Sequence, residues 1–358
     1  MIPVYKPWLF GNEKKYVNDC LDSSWISSRG DYIEKFENSL AEYLGVKHCS
    51  TTSNGSVSLH LILESLEFPE GSEVITSSLT YAATVSSIFW ARHIPVLVDS
   101  TFDYQPSIIS IQNSITENTV AVLLPELYGS SLDIDVLLLL LSKHNIVLIE
   151  DSAEVFGTKY KNKCLGSFGK ASSFSLFGNK TITTGEGGFI ATNDSFLFEK
   201  ISLLKNQSHI GSFYHSGPGF NYRMTNIQAA IGLAQLENID IIVSAKKQIA
   251  ERYRTEIDCF YPVLNPDINS SEWMPLFILP DHISYKDFHF KMTEKGIDTR
   301  PCFVPIHLMS GWKYKVYDSL KTSEIIYQYG FNLPSFPSLT KQEVDYIIEM
   351  TNKVLNEK

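Results

Sequence analysis

No C-x-x-C pair occurs anywhere in the chain, and the five cysteines, Cys20, Cys49, Cys164, Cys259 and Cys302, are scattered and odd in number. That spacing supports neither a disulfide framework nor a zinc site, so no metal is expected. Long apolar runs are also missing. The greasiest stretch, VLLLLL at 136–141, is far too short to span a bilayer, and prolines interrupt the opening MIPVYKPWLFGNEKKYV. Neither a signal peptide nor a membrane segment is expected, which points to a cytoplasmic protein. Positive charge is in deficit: 30 Lys and Arg against 40 Asp and Glu give a net charge of −10. A broad nucleic-acid surface, which gains affinity by neutralising phosphates, is therefore excluded. A local basic pocket for one phosphorylated small molecule is not. Internal repeats, low-complexity tracts, a P-loop and a G-x-G-x-x-G pattern are all absent.

What is present is an ordinary globular composition, 44% apolar and 20% charged over 358 residues. That length suits one large domain plus a smaller one. Short β-rich runs, EVITS at 73, PVLVD at 95, TVAVLLPELYG at 119, NIVLIED at 145 and SSFSLFG at 172, alternate with helix-like segments. Near-continuous apolar strands separated by helices imply a largely parallel sheet buried on both faces, with ligands at the strands' carboxyl ends. The class is α/β. Residues 224–258 carry apolar positions at helical spacing and form a helical bridge. It leads from a large domain, 1–240, into a small C-terminal α+β domain, 241–358, where WMPLFILP and TRPCFVPIH read as strands.

The strand ends carry the chemistry. NIVLIEDSAE places Glu150 and Asp151 at a strand's carboxyl end, where an acid needs a positive partner or caps the next helix. Ser53, Asn54, Gly55 and Ser56 in TTSNGSVSLH open a helix, whose free N–H groups favour a phosphate and equally suit ordinary capping. FSLFGNKTITTGEGG sets Lys180 between a strand and the glycines 185, 187 and 188, which read as a tight irregular loop. Thr183 and Thr184 are expected to tie hydroxyls to nearby backbone, and Glu186 to pair with a basic group. A lysine for a Schiff base, an acid and an anion cradle are together what pyridoxal 5'-phosphate requires.

GNKTITTGEGG, with IEDSAE before it and GFNYRMTNIQAAIGLAQLE after it, closely resembles the DegT/DnrJ/EryC1/StrS sugar aminotransferases. WISSRGDYIEKFE, SNGSVSLH, DTRPCFVPIH and NLPSFPSLT extend the likeness over nearly the whole chain. They resemble most the branch that aminates a GDP-linked 4-keto-6-deoxymannose to make perosamine. The resemblance implies the type I pyridoxal-phosphate aminotransferase fold, with Lys180 and Asp151 catalytic. It further implies Glu154 beside the cofactor's phenolic oxygen, Tyr81 stacked on its ring, and Gly55, Ser56 and Ser175 on its phosphate. Asn221 would arrive from the twin subunit of a homodimer with shared active sites. Relatives that remove a 3-hydroxyl carry histidine at the position of Lys180, so lysine here favours transamination, with glutamate as the expected amino donor.

Arg29, His215, Arg223, Arg300 and His307 are candidates for substrate phosphate or sugar hydroxyls, since arginine's planar fork suits phosphate oxygens. Each is equally a candidate for a structural contact. The segment holding His209 and His215 reads as an active-site edge. Three departures fall on the substrate side: Glu126 where this branch usually has histidine, KNQS at 205–208, and the stretch after His307. They leave open a smaller phosphorylated ketone or another sugar as acceptor for surface-polysaccharide synthesis. A catalytically silent cofactor-binding sensor is the third reading.

Overall fold

The strand Thr119–Pro125 shows why the central sheet is covered on both sides. In the computed structural model, which describes residues 1–357, Ala121 and Leu123 join one buried cluster and Val122 and Leu124 join another. Successive side chains point to opposite faces of a strand, and here both sets are apolar. The same split recurs at Ile149 and Leu148 of Val147–Asp151. Helices Gly55–Leu66 and Ala82–Trp90 contribute to the first layer, and Ile134–His144 to the second.

The sheet has eight strands in the order His48–Thr52, Gly188–Thr192, Ala171–Ser175, Val147–Asp151, Thr119–Pro125, Glu73–Ser77, Ile94–Val98, Lys315–Val316. All pairs are parallel except the two made by Gly188–Thr192, which runs against both neighbours. The fold is thus α/β with a mostly parallel mixed sheet. The chain first steps from Glu73–Ser77 outward to Ile94–Val98, then places Thr119–Pro125 on the other side of Glu73–Ser77. That reversal opens a crevice at the carboxyl ends of the strands.

Further along, Leu276–Ile278, Gly330–Asn332 and Arg300–Pro301 form an antiparallel sheet. Its core joins Phe277 and Phe331 to Ile249, Tyr253, Phe288 and Ile347 from the helices Ile239–Glu256, Tyr285–Glu294 and Lys341–Leu355. The two-residue strand Lys315–Val316 returns to the edge of the large sheet, where Lys315 Nζ meets Glu73 Oε1 at 2.6 Å.

All five expected β-rich runs are strands. The 224–258 bridge is helical as expected, and one strand expectation changes. The bridge is two helices, Asn226–Leu236 and Ile239–Glu256, separated at Glu237 and Asn238. Asn238 turns its side-chain amide onto the Ala234 carbonyl (3.0 Å), a local bond that competes with helix continuation. In TRPCFVPIH only Arg300–Pro301 pairs as strand, and Ile306–Leu308 is a 3-10 turn. Prolines 301 and 305 lack the N–H that a ladder needs. The strands His48–Thr52 and Gly188–Thr192 were not anticipated. Among the described residues no helix is long and apolar enough to cross a membrane, and no group of three His, Cys, Asp or Glu side chains is placed to hold a metal.

Candidate active site

A cavity of about 570 Å³ fills the crevice. Asp151, the last residue of Val147–Asp151, is buried in its wall. The twofold periodicity of the strand puts its carboxylate on the face of Ile149, toward the helix Ala82–Trp90. There Thr84 Oγ1 donates to Asp151 Oδ2 (2.7 Å), and the Ala153 amide makes a long contact to Oδ1 (3.4 Å). Burial is the largest influence on this carboxyl and pushes its pKa up, while Thr84 and the Lys180 charge pull it down. A buried acid with so few donors calls for an N–H or cationic partner in the cavity.

Lys180 supplies one positive group. Its Nζ lies 3.5 Å from Glu154 Oε1 and 4.3 Å from the centre of the Trp273 ring. The surrounding loop is fixed by its own polar groups. The Lys180 amide donates to Phe177 O (2.9 Å), Thr183 Oγ1 to Leu176 O (3.0 Å), and Thr184 Oγ1 to Glu186 O (2.6 Å). Gly185 takes φ +83°, which disfavours a side chain. The two threonines thus anchor the backbone as expected. Glu186 does not pair with a basic group among the described residues. Gln228 holds its backbone carbonyl (2.6 Å), and its exposed side chain lies at the cavity wall.

The glycine cluster has a second purpose, at Gly188. A Cβ there would come within 2.6 Å of the Asn54 carbonyl carbon and the Gly55 nitrogen. Only glycine lets the strand Gly188–Thr192 press against the start of the helix Gly55–Leu66. Asn54 Oδ1 caps that helix through the Val57 amide (3.0 Å). Gly55 and Ser56, its first two residues, have no acceptor within the helix for their N–H groups and line the cavity beside Ser175. A helix N-terminus so placed is suited to an anion.

Glu154 is buried and raised to about 7, chiefly by desolvation. The Lys180 charge and a hydrogen bond from the Tyr128 amide (3.1 Å) act in the opposite direction. The cavity therefore holds an amine, two buried acids and an anion cradle within one wall.

The sequence profile of the DegT/DnrJ/EryC1/StrS aminotransferase family matches residues 9–352. The chain belongs to this family. It is 44% identical to GDP-perosamine synthase of Escherichia coli O157:H7 over 100% of this chain and 99% of that protein. It is 40% identical to the GDP-perosamine synthase of Vibrio cholerae, covering 99% and 100%. Among solved structures, Helicobacter pylori PseC, an aminotransferase involved in pseudoaminic acid biosynthesis, superposes with a TM-score of 0.92. It is 26% identical, and 99% of each chain is covered. The chain is accordingly a pyridoxal-phosphate-dependent aminotransferase with the fold of that class. The residues fit the cofactor: the cavity-lining amine of Lys180, the under-donated Asp151 carboxylate and the paired amides of Gly55 and Ser56 match its aldehyde, ring nitrogen and phosphate in kind.

In this aminotransferase Gly55, Ser56, Tyr81, Asp151, Glu154, Ser175, Lys180 and Arg300 all border the one cavity. Tyr81 is 61% exposed at its open side, 5.9 Å from Phe303 between ring centres. Arg300 lies over the Tyr5 ring at 4.7 Å. Arg29, His215, Asn221, Arg223 and His307 are not in the cavity wall of this single chain. Asn221 accepts from Arg223 Nε (2.9 Å), and Arg223 also reaches Asn206 (2.8 Å). His215 stands exposed on the hairpin His209–Gly211 with Tyr214–His215. Both ring nitrogens of His307 are engaged, by Ser78 Oγ (2.6 Å) and Glu324 Oε1 (3.1 Å). Thr84, Trp273 and Asn179 escaped sequence reasoning. Trp273 Nε1 donates to Asn179 O (2.7 Å), which seats the indole under Lys180 across 94 residues of chain, and no local pattern announces such a contact.

Proposed function

We propose that this enzyme aminates the keto group of a nucleotide-linked sugar of the GDP-4-keto-6-deoxymannose kind, with glutamate as donor, for surface-polysaccharide synthesis. The observation that carries the reading is the convergence of Lys180, Asp151, Glu154 and the Gly55–Leu66 helix start on one cavity of about 570 Å³. Full-length similarity to two GDP-perosamine synthases supports this choice of acceptor.

Pyridoxal phosphate supplies the electron sink and carries the amino group between the two half-reactions. Lys180 Nζ would hold the cofactor and move a proton at the reacting carbon. Asp151, steadied by Thr84, would face the ring nitrogen and keep it protonated. Glu154 would face the phenolic oxygen. Gly55, Ser56 and Ser175 would bind the phosphate, and Tyr81 would cover the ring's open side and exclude water. Trp273 holds the lysine ammonium from below, so the amine has a fixed approach.

In this reading residues 1–240 form the cofactor-binding body and 241–358 a smaller domain that contributes Arg300 to the substrate end. Arg29, His215, Arg223 and Asn221 lie outside this chain's cavity and would serve the twin site of a homodimer, in the cytoplasm. The test is to load the enzyme with amino groups from glutamate and offer two acceptors in turn, GDP-4-keto-6-deoxymannose and a small phosphorylated ketone. Return of the original cofactor absorbance with the nucleotide sugar is expected. Return only with the small ketone refutes the acceptor assignment, and no amino loading from any donor refutes transamination.

A further inference from the structure

Beside Asp151, on the neighbouring strand end and in the lining of the same cavity, sits another buried carboxyl that the chemistry above leaves unused. Glu126 follows the strand Thr119–Pro125 and is fully buried. Its amide donates to Asp151 O (3.1 Å), and its Oε2 accepts from Ser152 Oγ (2.7 Å). Ser152 is in turn fixed through its amide to Ser173 O (2.9 Å). One residue therefore grips the carbonyl of Asp151 and the side chain of its successor. Glu126 Oε1 has no partner.

Of the two adjacent buried carboxyls, Glu150 is far better supplied with donors than Glu126. Three backbone amides converge on Glu150: Gly166 at 2.8 Å, Phe168 at 2.9 Å and Gly169 at 2.7 Å. Burial raises the pKa of Glu150 too, but these three amides pull it back toward the charged form. Glu126 has one hydroxyl donor at hydrogen-bond distance and no ion pair among the described residues. The groups bearing on it are Glu150 and Asp151 from the adjacent strand and the hydroxyls of Ser152 and Ser131, and both acids disfavour a further charge. Burial pushes its pKa well up.

We propose that Glu126 stands as a neutral carboxylic acid and is a positioning residue for Asp151, holding the strand end in place while adding no charge there. This goes beyond the assignment of the acceptor, but its kinetic part rests on Asp151 serving the cofactor. The decisive experiment is an infrared difference spectrum of the holoenzyme, wild type minus Glu126→Gln, near neutral pH. It should show the carbonyl band of a protonated carboxyl. Kinetics and the pH midpoint of the bound cofactor's absorbance supply the second readout. Glu126→Ala should lower kcat roughly tenfold to a hundredfold, with the glutamate KM little changed, because a displacement of Asp151 of about an ångström has that effect. Glu126→Gln, neutral and of equal length, should recover most of the loss and the wild-type midpoint. Absence of the protonated band overturns the proposal, as does Glu126→Gln behaving like Glu126→Ala. A potassium requirement present in the wild type and missing in Glu126→Gln also overturns it, since the carboxyl would then be a cation ligand. The infrared band is independent of catalysis, so it stands even if the acceptor assignment fails.

Discussion

Replacing Glu154 by glutamine tests whether burial really governs the electrostatics beneath the reactive amine. In the folded chain its carboxyl is raised from 4.5 to about 7, mainly by desolvation. Between those values the native protein holds a proton that the unfolded chain has released. Stability therefore falls as pH rises through this window, with the full contribution present below the unfolded value. At about 1.4 kcal/mol for each unit, the pH-dependent loss approaches about 3 kcal/mol by pH 8. Glutamine has nothing to titrate. In urea unfolding of the apoprotein at pH 5 and pH 8, the wild type should weaken relative to Glu154→Gln by about 2–3 kcal/mol at the higher pH. Comparing each protein with itself at two pH values cancels what the substitution does to Lys180 at fixed pH. A wild-type-to-variant difference that stays constant from pH 5 to 8 would refute the reasoning. The carboxylate would then be adequately compensated by the Lys180 Nζ 3.5 Å away.

Lys180→Ala should abolish turnover while leaving a folded chain, and borohydride should no longer fix the cofactor covalently, as read by intact mass. Asp151→Asn should slow transamination by on the order of a hundredfold and change unfolding by no more than about 1 kcal/mol. Wild-type kinetics would reduce Asp151 to a structural residue. Gly188→Ala must displace the Asn54–Gly55 backbone, since the new Cβ would lie 2.6 Å from it. The expected result is a destabilisation of about 1–3 kcal/mol, with weaker cofactor binding in a fluorescence titration. If Asn221 serves the twin site as proposed, Asn221→Ala should speed cofactor loss on gel filtration at protein concentrations that keep a dimer together, and its difference from wild type should vanish on dilution below them.

The strands with two apolar faces were legible because burial on both sides leaves a continuous hydrophobic run. His48–Thr52 and Gly188–Thr192 were not. HCSTT is nearly all polar, and GFIAT begins with a glycine whose purpose is a contact across 133 residues, to Gly55. Lys180, Asp151 and Gly55 were readable because each sits at an element boundary where local chemistry is abnormal. Thr84 and Trp273 were not, since their value lies in what they touch rather than in what flanks them. The helical bridge was legible from its spacing, but the break within it was not. Tyr16 and Asn12 both hold the Glu237 carboxylate (2.6 and 2.7 Å), which fixes the chain at the break through partners more than 200 positions earlier.

The return of Lys315–Val316 to the rim of the sheet matters for how molecules meet one another. A bare outer strand offers unpaired amides and carbonyls to any passing chain. Here Val96 and Leu97 are already paired by the molecule's own later segment, and the Lys315 ammonium is locked onto Glu73 behind it. The inner strand Ile94–Val98 is thereby withdrawn from contact with other copies, and the margin left outside it is a two-residue strand carrying a lysine, which is too short to template a long ladder.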